Sequence, residues 1–439
     1  MSMDTILAPA SALGGGVAVI RISGPQALSV AQKLGASPHL TPRQVEVAAL
    51  HHPGTGKALD KALVLYFQAP HSFTGEDVVE LHVHGGGAVV RRVMEAAQEL
   101  DKNVRLAEAG EFSKRAYLNG KIDLTEAEAI ADLVAAETDA QAEQALAQMG
   151  GSLRDLYESW RGQLLQVLAH LEATIDFVDE ESVPQDLFEC TTEKLKPLMA
   201  QLQEHLADAH LGERLREGFV VTVIGAPNAG KSSLVNALVR RDVAIVSDIP
   251  GTTRDAIEAH LNIGGYPVVL IDTAGLRATH DRIENEGIAR ARKRAAQADI
   301  VLALFDATQP PDTETLGHCD ERTILVQTKN DLIGNAKVEG IGVSSITGAG
   351  MDRLVHQIQQ RLSHLVARPK DAPPLLTRAR HRQAVEEALN HLQRAATATD
   401  IALLTEDVRL GVRAIGRLTG RVDVEDLLDV IFKDFCIGK

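Results

Sequence analysis

The stretch FVVTVIGAPNAGKSSLVNALV, residues 219–239, decides the fold of a large part of the chain. It begins with an apolar run of the length typical of a buried strand, passes through a glycine-rich turn and ends in a helical pattern. The turn, from Gly225 to Ser232, fits GxxxxGK[ST]. A strand, this turn and a helix in that order are typical of a phosphate-binding loop, in which backbone amides surround phosphate oxygens. The stretch therefore predicts a doubly wound α/β domain that binds a nucleotide.

Three further motifs follow in the order that a GTPase requires. The sequence GTTRD contains Thr253, which can complete a magnesium shell. The sequence DTAG closes an apolar run, so that Asp272 can bind Mg²⁺ through water and Gly275 can contact the γ-phosphate. The sequence TKND follows the run TILVQ, and the carboxylate of Asp331 can accept both N1–H and N2–H₂ of guanine. Together the motifs predict GTP and Mg²⁺ as ligands.

The residues predicted to contact the nucleotide lie on the segments that carry these motifs. They are Asn228, Ala229, Gly230, Lys231, Ser232, Ser233, Thr253, Asp272, Thr273, Ala274, Gly275, Thr328, Lys329, Asp331, Ser344 and Ser345. Lys231 is predicted to neutralise the β and γ oxygens, and Ser232 to offer its hydroxyl to Mg²⁺.

Two positions depart from the usual GTPase pattern. Where GTPases usually have Asn, this chain has Thr328, whose hydroxyl carries one donor and cannot span what a carboxamide spans. We therefore expect weaker nucleotide affinity, with specificity retained through Asp331.

The second departure concerns catalysis. Small signalling GTPases have a water-orienting Gln after DxxG, but here that position is Leu276, so another group must orient the attacking water. The following segment LRATHDRIENEG offers polar candidates, namely Arg277, Asp281, Arg282, Glu284 and Glu286.

The composition indicates an ordinary globular protein. At about 100 to 200 residues per domain, 439 residues predict two to four domains. Neither a long apolar span nor a basic signal sequence is evident, and the three cysteines form no CxxC pair, so we expect a cytosolic protein without a disulfide framework. The net charge of -15 requires that any RNA contact use a local basic patch. The candidates are IARARKRAA and LTRARHRQ, for which a solvated helix face is the simpler interpretation.

Changes in residue pattern predict a multidomain α/β protein. Short apolar runs with Gly and Pro breaks predict an α+β domain, and an Ala- and Glu-rich region opened by a capping box at Thr125 and Glu128 predicts helices. A proline-containing linker, ARPKDAPP, ends the α/β domain, after which the helical pattern returns. The predicted domains are 1–120, α+β; 121–216, first helical part; 217–368, inserted P-loop GTPase domain; and 369–439, second helical part.

Long stretches outside the nucleotide motifs resemble the MnmE (TrmE) family of tRNA-modifying GTPases. The resemblance is carried by DTI, RISGP, SFTGEDVVELHVHGG, AEAGEFSKRAYLNGKIDLTEAEAIADL and the terminal FCIGK. It implies a folate-binding, homodimeric N-terminal domain, a split helical domain and a K⁺-dependent G domain. It also implies that 5-formyltetrahydrofolate or methylenetetrahydrofolate supplies a carbon for a carboxymethylaminomethyl or aminomethyl group at C5 of the wobble uridine of tRNA. The implied partner is the FAD-containing protein MnmG (GidA).

The resemblance also implies roles for individual residues. The folate contacts fall on Arg21, Glu80, Lys121 and Lys439. The potassium ligands fall on Asn228, Ser247, Ile249 through its carbonyl, and Thr252, within a nucleotide-contacting loop that includes Asp248, Pro250 and Gly251. The water-orienting role falls on Glu284. Cys436 lies near Lys439 in sequence, so we interpret it as a thiol at the one-carbon site, with a buried apolar residue as the alternative.

Two other functions stay open on the sequence. A ribosome-assembly GTPase that binds rRNA shares the GxPNxGKS loop but usually carries an RNA-binding module after the G domain, where this chain has a helical pattern. A nucleotide-gated scaffold for another enzyme is the third interpretation, and the sequence excludes it least.

Overall fold

The computed structural model describes most of the chain. The described residues are 4–176, 186–241, 258–272, 297–333, 340–369, 372–422, 428, 431–433, 435 and 438. The chain divides into two compact units, Met1–Ala131 with Ile415–Lys439, and Asp132–Ala414. Within the described part of the chain, no helix is long and apolar enough to cross a membrane. The domain boundaries given above stay a prediction.

The N-terminal region is a six-stranded sheet with helices on both faces. Its strands are β1 Thr5–Pro9, β2 Val17–Ser23, β3 Val45–His51, β4 Ala58–Phe67, β5 Val78–His84 and β6 Val104–Leu106, in the order β3-β4-β5-β2-β1-β6. The helices are α1 Ala27–Leu34 and α2 Gly87–Gln98, packed on one face, and α3 Glu111–Leu118, packed on the other. Alternate residues of β5, such as Leu81 and Val83, are buried in a core with residues of α1 and α2. Consequently Glu80 and His82 lie on the opposite face of the sheet.

Helices follow, and they return after the second sheet. They are α4 Leu124–Ala135, α5 Asp139–Met149, α6 Ser152–Asp176, α7 Asp186–Ala207 and α8 Ala209–Glu217, and later α12 Ala379–Thr397 and α13 Ile401–Thr419. The predicted capping box of α4 is wrong by two residues. Asp123 Oδ1 accepts the backbone amides of Thr125 (2.6 Å) and Glu126 (3.0 Å), and Glu126 Oε2 accepts the amide of Asp123 (2.9 Å). The Thr125 hydroxyl donates to the same carboxylate oxygen.

The second sheet has the predicted doubly wound α/β arrangement. Its strands are β7 Phe219–Gly225, β8 Glu258–Ile263, β9 Tyr266–Asp272, β10 Ile300–Asp306, β11 Thr323–Thr328 and β12 Ile341–Gly342, in the order β12-β11-β10-β7-β9-β8. All neighbouring pairs are parallel except β8 and β9. Its helices are α9 Lys231–Val239, α10 Thr313–Gly317 and α11 Met351–Val366. Strands buried on both faces explain why their sequences are continuous apolar runs.

An aromatic cluster joins helices α6 and α7. The ring of Trp160, the chain's one tryptophan, lies 5.1 Å from that of His205 and donates from Nε1 to Gln201 Oε1 at 2.9 Å. Tyr157 packs against both rings. Burial, followed by repulsion from His381, lowers the pKa of His205 from 6.5 to about 4. The folded cluster therefore favours the neutral imidazole.

We expect this cluster to lose stability as the pH falls from 7 to 5. Unfolded His205 binds a proton near pH 6.5 and folded His205 only near pH 4, so the unfolded state binds more protons between these values. The free energy of unfolding should fall by about 2 kcal/mol between pH 7 and pH 5 from this group alone. Urea unfolding monitored by Trp160 fluorescence measures it. The pH slope should shrink in His205→Leu but not in His356→Gln, which alters an exposed histidine. An unchanged slope in His205→Leu would contradict the assignment.

Candidate functional site

The nucleotide motifs meet at one edge of the second sheet. Strands β7, β9, β10 and β11 are parallel and end at Gly225, Asp272, Asp306 and Thr328. Because carboxyl ends of parallel strands share an edge, side chains distant in sequence converge there. This edge is where α/β proteins of this kind bind their ligands.

The glycine-rich loop has the backbone that the motif predicts. Gly225 has a φ of 152°, and a Cβ there would lie 2.6 Å from Leu304 O, so no other residue fits without a shift. Gly230 has a φ of 90° and is the N-cap residue of helix α9. The Lys231 ammonium donates to Gly225 O at 2.7 Å and Ala226 O at 2.8 Å, which holds the cation over the loop. Amides and an ammonium in this arrangement form an anion site.

A hydroxyl and a carboxylate lie side by side next to this loop. Ser232 Oγ donates to Asp272 Oδ2 at 2.7 Å, although the two residues are 40 positions apart. Asp272 is 8% exposed, whereas Ser232 is exposed. Oxygen ligands of this kind suit Mg²⁺, which binds through one or two carboxylates and substrate phosphates. The residues present therefore fit the predicted magnesium ion.

The TKND segment turns sharply after β11. Lys329 has a left-handed backbone, with a φ of 55°, and Asp331 lies exposed in the 3-10 helix Asn330–Leu332 that follows. Lys329 Nζ lies 2.5 Å from Asp306 Oδ2 at the end of the neighbouring strand. Although desolvation opposes it, hydrogen bonds from Lys329 and Thr308 lower the pKa of Asp306. The pair fixes Lys329 at the turn, so that the following carboxylate is presented at the sheet edge.

A serine turn lies beside the TKND segment. Ser344 is fully buried, its Oγ accepts Thr347 N at 3.1 Å, and its backbone amide donates to Ala349 O at 2.9 Å. Asn330 N donates to Val343 O at 3.1 Å, which joins the turn to the 3-10 helix. Ser345 follows, partly exposed, and Ile346 is 89% exposed. Ile346 was not predicted as a site residue, because an apolar residue in such a loop has no distinctive pattern.

Thr328 points towards the phosphate-binding loop. Its Oγ1 donates to Ala229 O at 2.7 Å and lies 3.2 Å from Phe305 O, and the residue is 3% exposed. The side chain thus links the end of β11 to the phosphate-binding loop. Asn228, also in that loop, is exposed and has a left-handed φ of 63°.

Several predicted site residues lie outside the described residues. They are Ser247, Asp248, Ile249, Pro250, Gly251, Thr252, Thr253, Thr273, Ala274, Gly275, Glu284, Cys436 and Lys439.

In the N-terminal sheet, two of the predicted folate residues are paired. Arg21 of β2 lies opposite Glu80 of β5, and the Arg21 Nε to Glu80 Oε1 distance is 3.0 Å. The guanidinium carbon of Arg21 lies 5.8 Å from the ring centre of Phe73 and 5.7 Å from that of Phe112. A cation, a carboxylate and aromatic rings together could bind a flat heterocycle that carries an acidic tail.

Lys121 lines a cleft of about 540 Å³ beside this pair. Its Nζ donates to Pro70 O at 2.9 Å. The other lining residues are Arg43, Leu65, Phe67, His71, Ser72 and Phe73. Phe73 belongs to the cleft and also contacts Arg21, so the structure brings three of the four predicted folate residues into one neighbourhood.

The segment before the C-terminus packs on the same compact unit. Phe435 is buried in a cluster with Leu124 and Phe432. Gly438 has a φ of 99°, and a Cβ there would lie 1.9 Å from Pro9 O, so the close approach to the end of β1 requires glycine. Gly438 was not predicted from the sequence, because chemical roles were predicted only for its neighbours Cys436 and Lys439.

The predicted basic patch LTRARHRQ has two arginines in ion pairs with carboxylates. Arg378 Nη2 lies 2.6 Å from Asp132 Oδ1, and Arg382 Nε lies 3.1 Å from Glu213 Oε1. Two arginines of this patch are thus paired with carboxylates, which favours a solvated, ion-paired surface over an RNA site. The other patch lies outside the described residues.

Comparison with known protein families shows which family the chain belongs to. One family model, the MnmE helical domain, matches residues 124–436, and a second, the GTP-binding protein TrmE N-terminus, matches residues 5–121. The chain belongs to the MnmE family. The tRNA modification GTPase MnmE of Rhodospirillum rubrum is 50% identical to it over 461 residues, which cover 100% of both chains. The protein of the same name from Paramagnetospirillum magneticum is 49% identical over 99% of this chain and 100% of its own length.

Family membership confirms the resemblance and the multidomain α/β fold class. It also confirms that the chain is a GTPase of the tRNA-modifying class, with GTP as its nucleotide. The geometry agrees, since the Lys231 loop, the Ser232–Asp272 pair and Asp331 share one sheet edge.

Proposed function

We propose that this chain uses GTP hydrolysis to drive modification of the wobble uridine of certain tRNAs, together with an FAD-containing MnmG-type partner. The observation that supports it most is the convergence of the phosphate-binding loop, the Ser232–Asp272 pair and Asp331 at one sheet edge in a member of this family. The group added at C5 would be carboxymethylaminomethyl or aminomethyl. As in the family, the protein would act as a homodimer.

Lys231 would bind the β and γ phosphate oxygens, and Ser232 would offer its hydroxyl to Mg²⁺. Asp272 and Thr253 would help to hold the same ion. Bound Mg²⁺ would supply neutralisation of the charge that develops on the transferred phosphoryl group. What the chain contributes is positioning: the buried Asp272 fixes the Ser232 hydroxyl before the nucleotide enters.

Hydrolysis needs two further groups in this proposal. Glu284 orients the attacking water, because Leu276 cannot. Asn228, exposed in the phosphate-binding loop, would hold K⁺ together with Ser247, the Ile249 carbonyl and Thr252. Bound K⁺ would supply positive charge between the β and γ phosphates.

The N-terminal domain would hold the folate derivative that supplies the one-carbon unit. Glu80 accepts from the amidine-like edge of the pterin, while Arg21 and Lys121 bind the formyl group or the glutamate tail. Lys439 adds a further cation. The Arg21–Glu80 ion pair and the flanking Phe73 ring support this assignment, because they pre-position charge and aromatic surface together. Cys436 is the candidate thiol at this site.

The test is mass spectrometry of wobble uridines from a strain that lacks the gene. We expect the modification to disappear, to return with the wild-type chain, and to stay strongly reduced with Cys436→Ser, whose GTPase rate should remain normal. Full modification in the deletion strain, or accumulation of immature ribosomal subunits alone, would contradict the function. Full modification by Cys436→Ser would return that residue to the buried, structural interpretation.

A further inference from the structure

The hydroxyl of Thr328 has one proton, and the structure shows where that proton goes. Both atoms within hydrogen-bonding distance of Oγ1, Ala229 O and Phe305 O, are carbonyl oxygens and can only accept. The proton is therefore donated into the protein, with the shorter distance, 2.7 Å, to the phosphate-binding loop. At 3% exposure the side chain has no free surface from which to donate a second time.

Guanine presents two acceptors on one edge, N7 and O6, in addition to the donors that Asp331 accepts. A carboxamide has two N–H donors, so at position 328 it could bond the loop and the base together. A hydroxyl that is already committed to a carbonyl cannot donate to N7. The substitution therefore removes one specific contact and leaves the others.

We propose that this chain recognises guanine without a side-chain hydrogen bond to N7, and that Thr328 is a positioning residue that ties the base-recognition strand β11 to the phosphate-binding loop. The inference rests on the proposed binding of guanine by Asp331. In this proposal Asp331 recognises the N1–H and N2–H₂ donors of guanine, and Thr328 holds β11 against the phosphate-binding loop. The base is then read through its N1–H and N2–H₂ groups.

Asn330 is the rival carboxamide donor in the TKND segment, where the Lys329 ammonium is paired with Asp306. Its carboxamide packs against β12, where a Cβ on Gly342 would lie 2.9 Å from Asn330 Cγ. That position directs the amide to the neighbouring strand. The assay below includes this residue so that its contribution is measured.

The test compares GTP with 7-deaza-GTP, in which a carbon replaces N7, on the full-length protein in potassium buffer. We expect the two kcat/KM values to agree within about threefold, because no hydrogen bond is lost, whereas loss of a bonded partner would leave a buried donor unpaired. A larger preference for GTP overturns the proposal, and its disappearance in Asn330→Ala would identify the donor. If GTP itself is not hydrolysed, the proposed function fails instead.

Variants of Thr328 test the positioning role. Thr328→Val should weaken the affinity for GTP and for 7-deaza-GTP equally, by about twofold to tenfold, since it removes one neutral hydrogen bond to the loop. Thr328→Ser keeps the hydroxyl and should bind both nucleotides as the wild type does. If Thr328→Val instead changes the ratio of the two affinities, or leaves both unchanged, Thr328 is not a positioning residue of the loop.

Discussion

Asp331→Asn is expected to lower kcat/KM for GTP by at least about 10²-fold. In this variant kcat/KM for xanthosine triphosphate should exceed kcat/KM for GTP. The carboxylate accepts two donors of guanine, and each charge-assisted hydrogen bond contributes roughly 1.5–3 kcal/mol. An Asn side chain keeps one acceptor for N1–H but places an N–H₂ group against the N2 amine. Xanthine carries a carbonyl oxygen there, which the new amide can donate to. Initial rates with both nucleotides measure the change.

The backbone around Asp331 should survive this substitution. The 3-10 helix is held by Asn330 N to Val343 O (3.1 Å) and by Leu332 N to Lys329 O (3.0 Å), and neither bond uses the Asp331 side chain. Asp320→Asn is the matched control, because it removes a carboxylate just before the other end of β11. That variant should keep its preference for GTP. Unchanged preference in Asp331→Asn, or equal turnover of ATP and GTP by the wild type, would contradict base recognition by this residue.

The sequence predicted the second sheet well because its signal is local. Strands such as β7 and β10 are buried on both faces and therefore appear as continuous apolar runs, and the glycines of the loop report a backbone that only glycine adopts. The start of α4 was predicted two residues late. Both Asp123 and Thr125 are good capping residues, and the sequence pattern does not determine which of them caps the helix. The structure shows that Asp123 accepts the amides of Thr125 and Glu126 and the Thr125 hydroxyl.

Much of the candidate site could not be predicted, because it depends on contacts between distant residues. The motifs predicted that Ser232 and Asp272 both serve magnesium, but not that they share a hydrogen bond. Nor does any local pattern reveal that Asp132 pairs with Arg378, 246 positions away, which weakens the case for RNA binding by that basic patch. At Thr328 the sequence predicted a missing donor, whereas the structure shows what the remaining donor does.

Glu284→Ala is expected to bind GTP nearly normally but to hydrolyse it about 10²- to 10⁴-fold more slowly, which is the range for a positioned acid, base or water-orienting group. The residue after DTAG, Leu276, has no polar atom, so the water needs another partner. Glu286→Ala is the matched control, since it removes a carboxylate two residues away in the same segment, and it should hydrolyse GTP normally. A loss of less than about threefold in Glu284→Ala, well below that range, would show the assignment to be wrong.

Wild type and Glu284→Ala assayed in matched K⁺ and Na⁺ buffers separate the two catalytic groups of the proposal. A cation held near Asn228 would offset charge between the β and γ phosphates, the task that an arginine finger performs for roughly 10³- to 10⁵-fold in other GTPases. The wild type should therefore be fast in K⁺ and slow in Na⁺. If the glutamate orients water and the cation neutralises charge, K⁺ should still accelerate the variant, because the two groups act on different atoms. Equal wild-type rates in the two buffers would refute the potassium site, and they would leave the water-orienting assignment to stand on the variant alone.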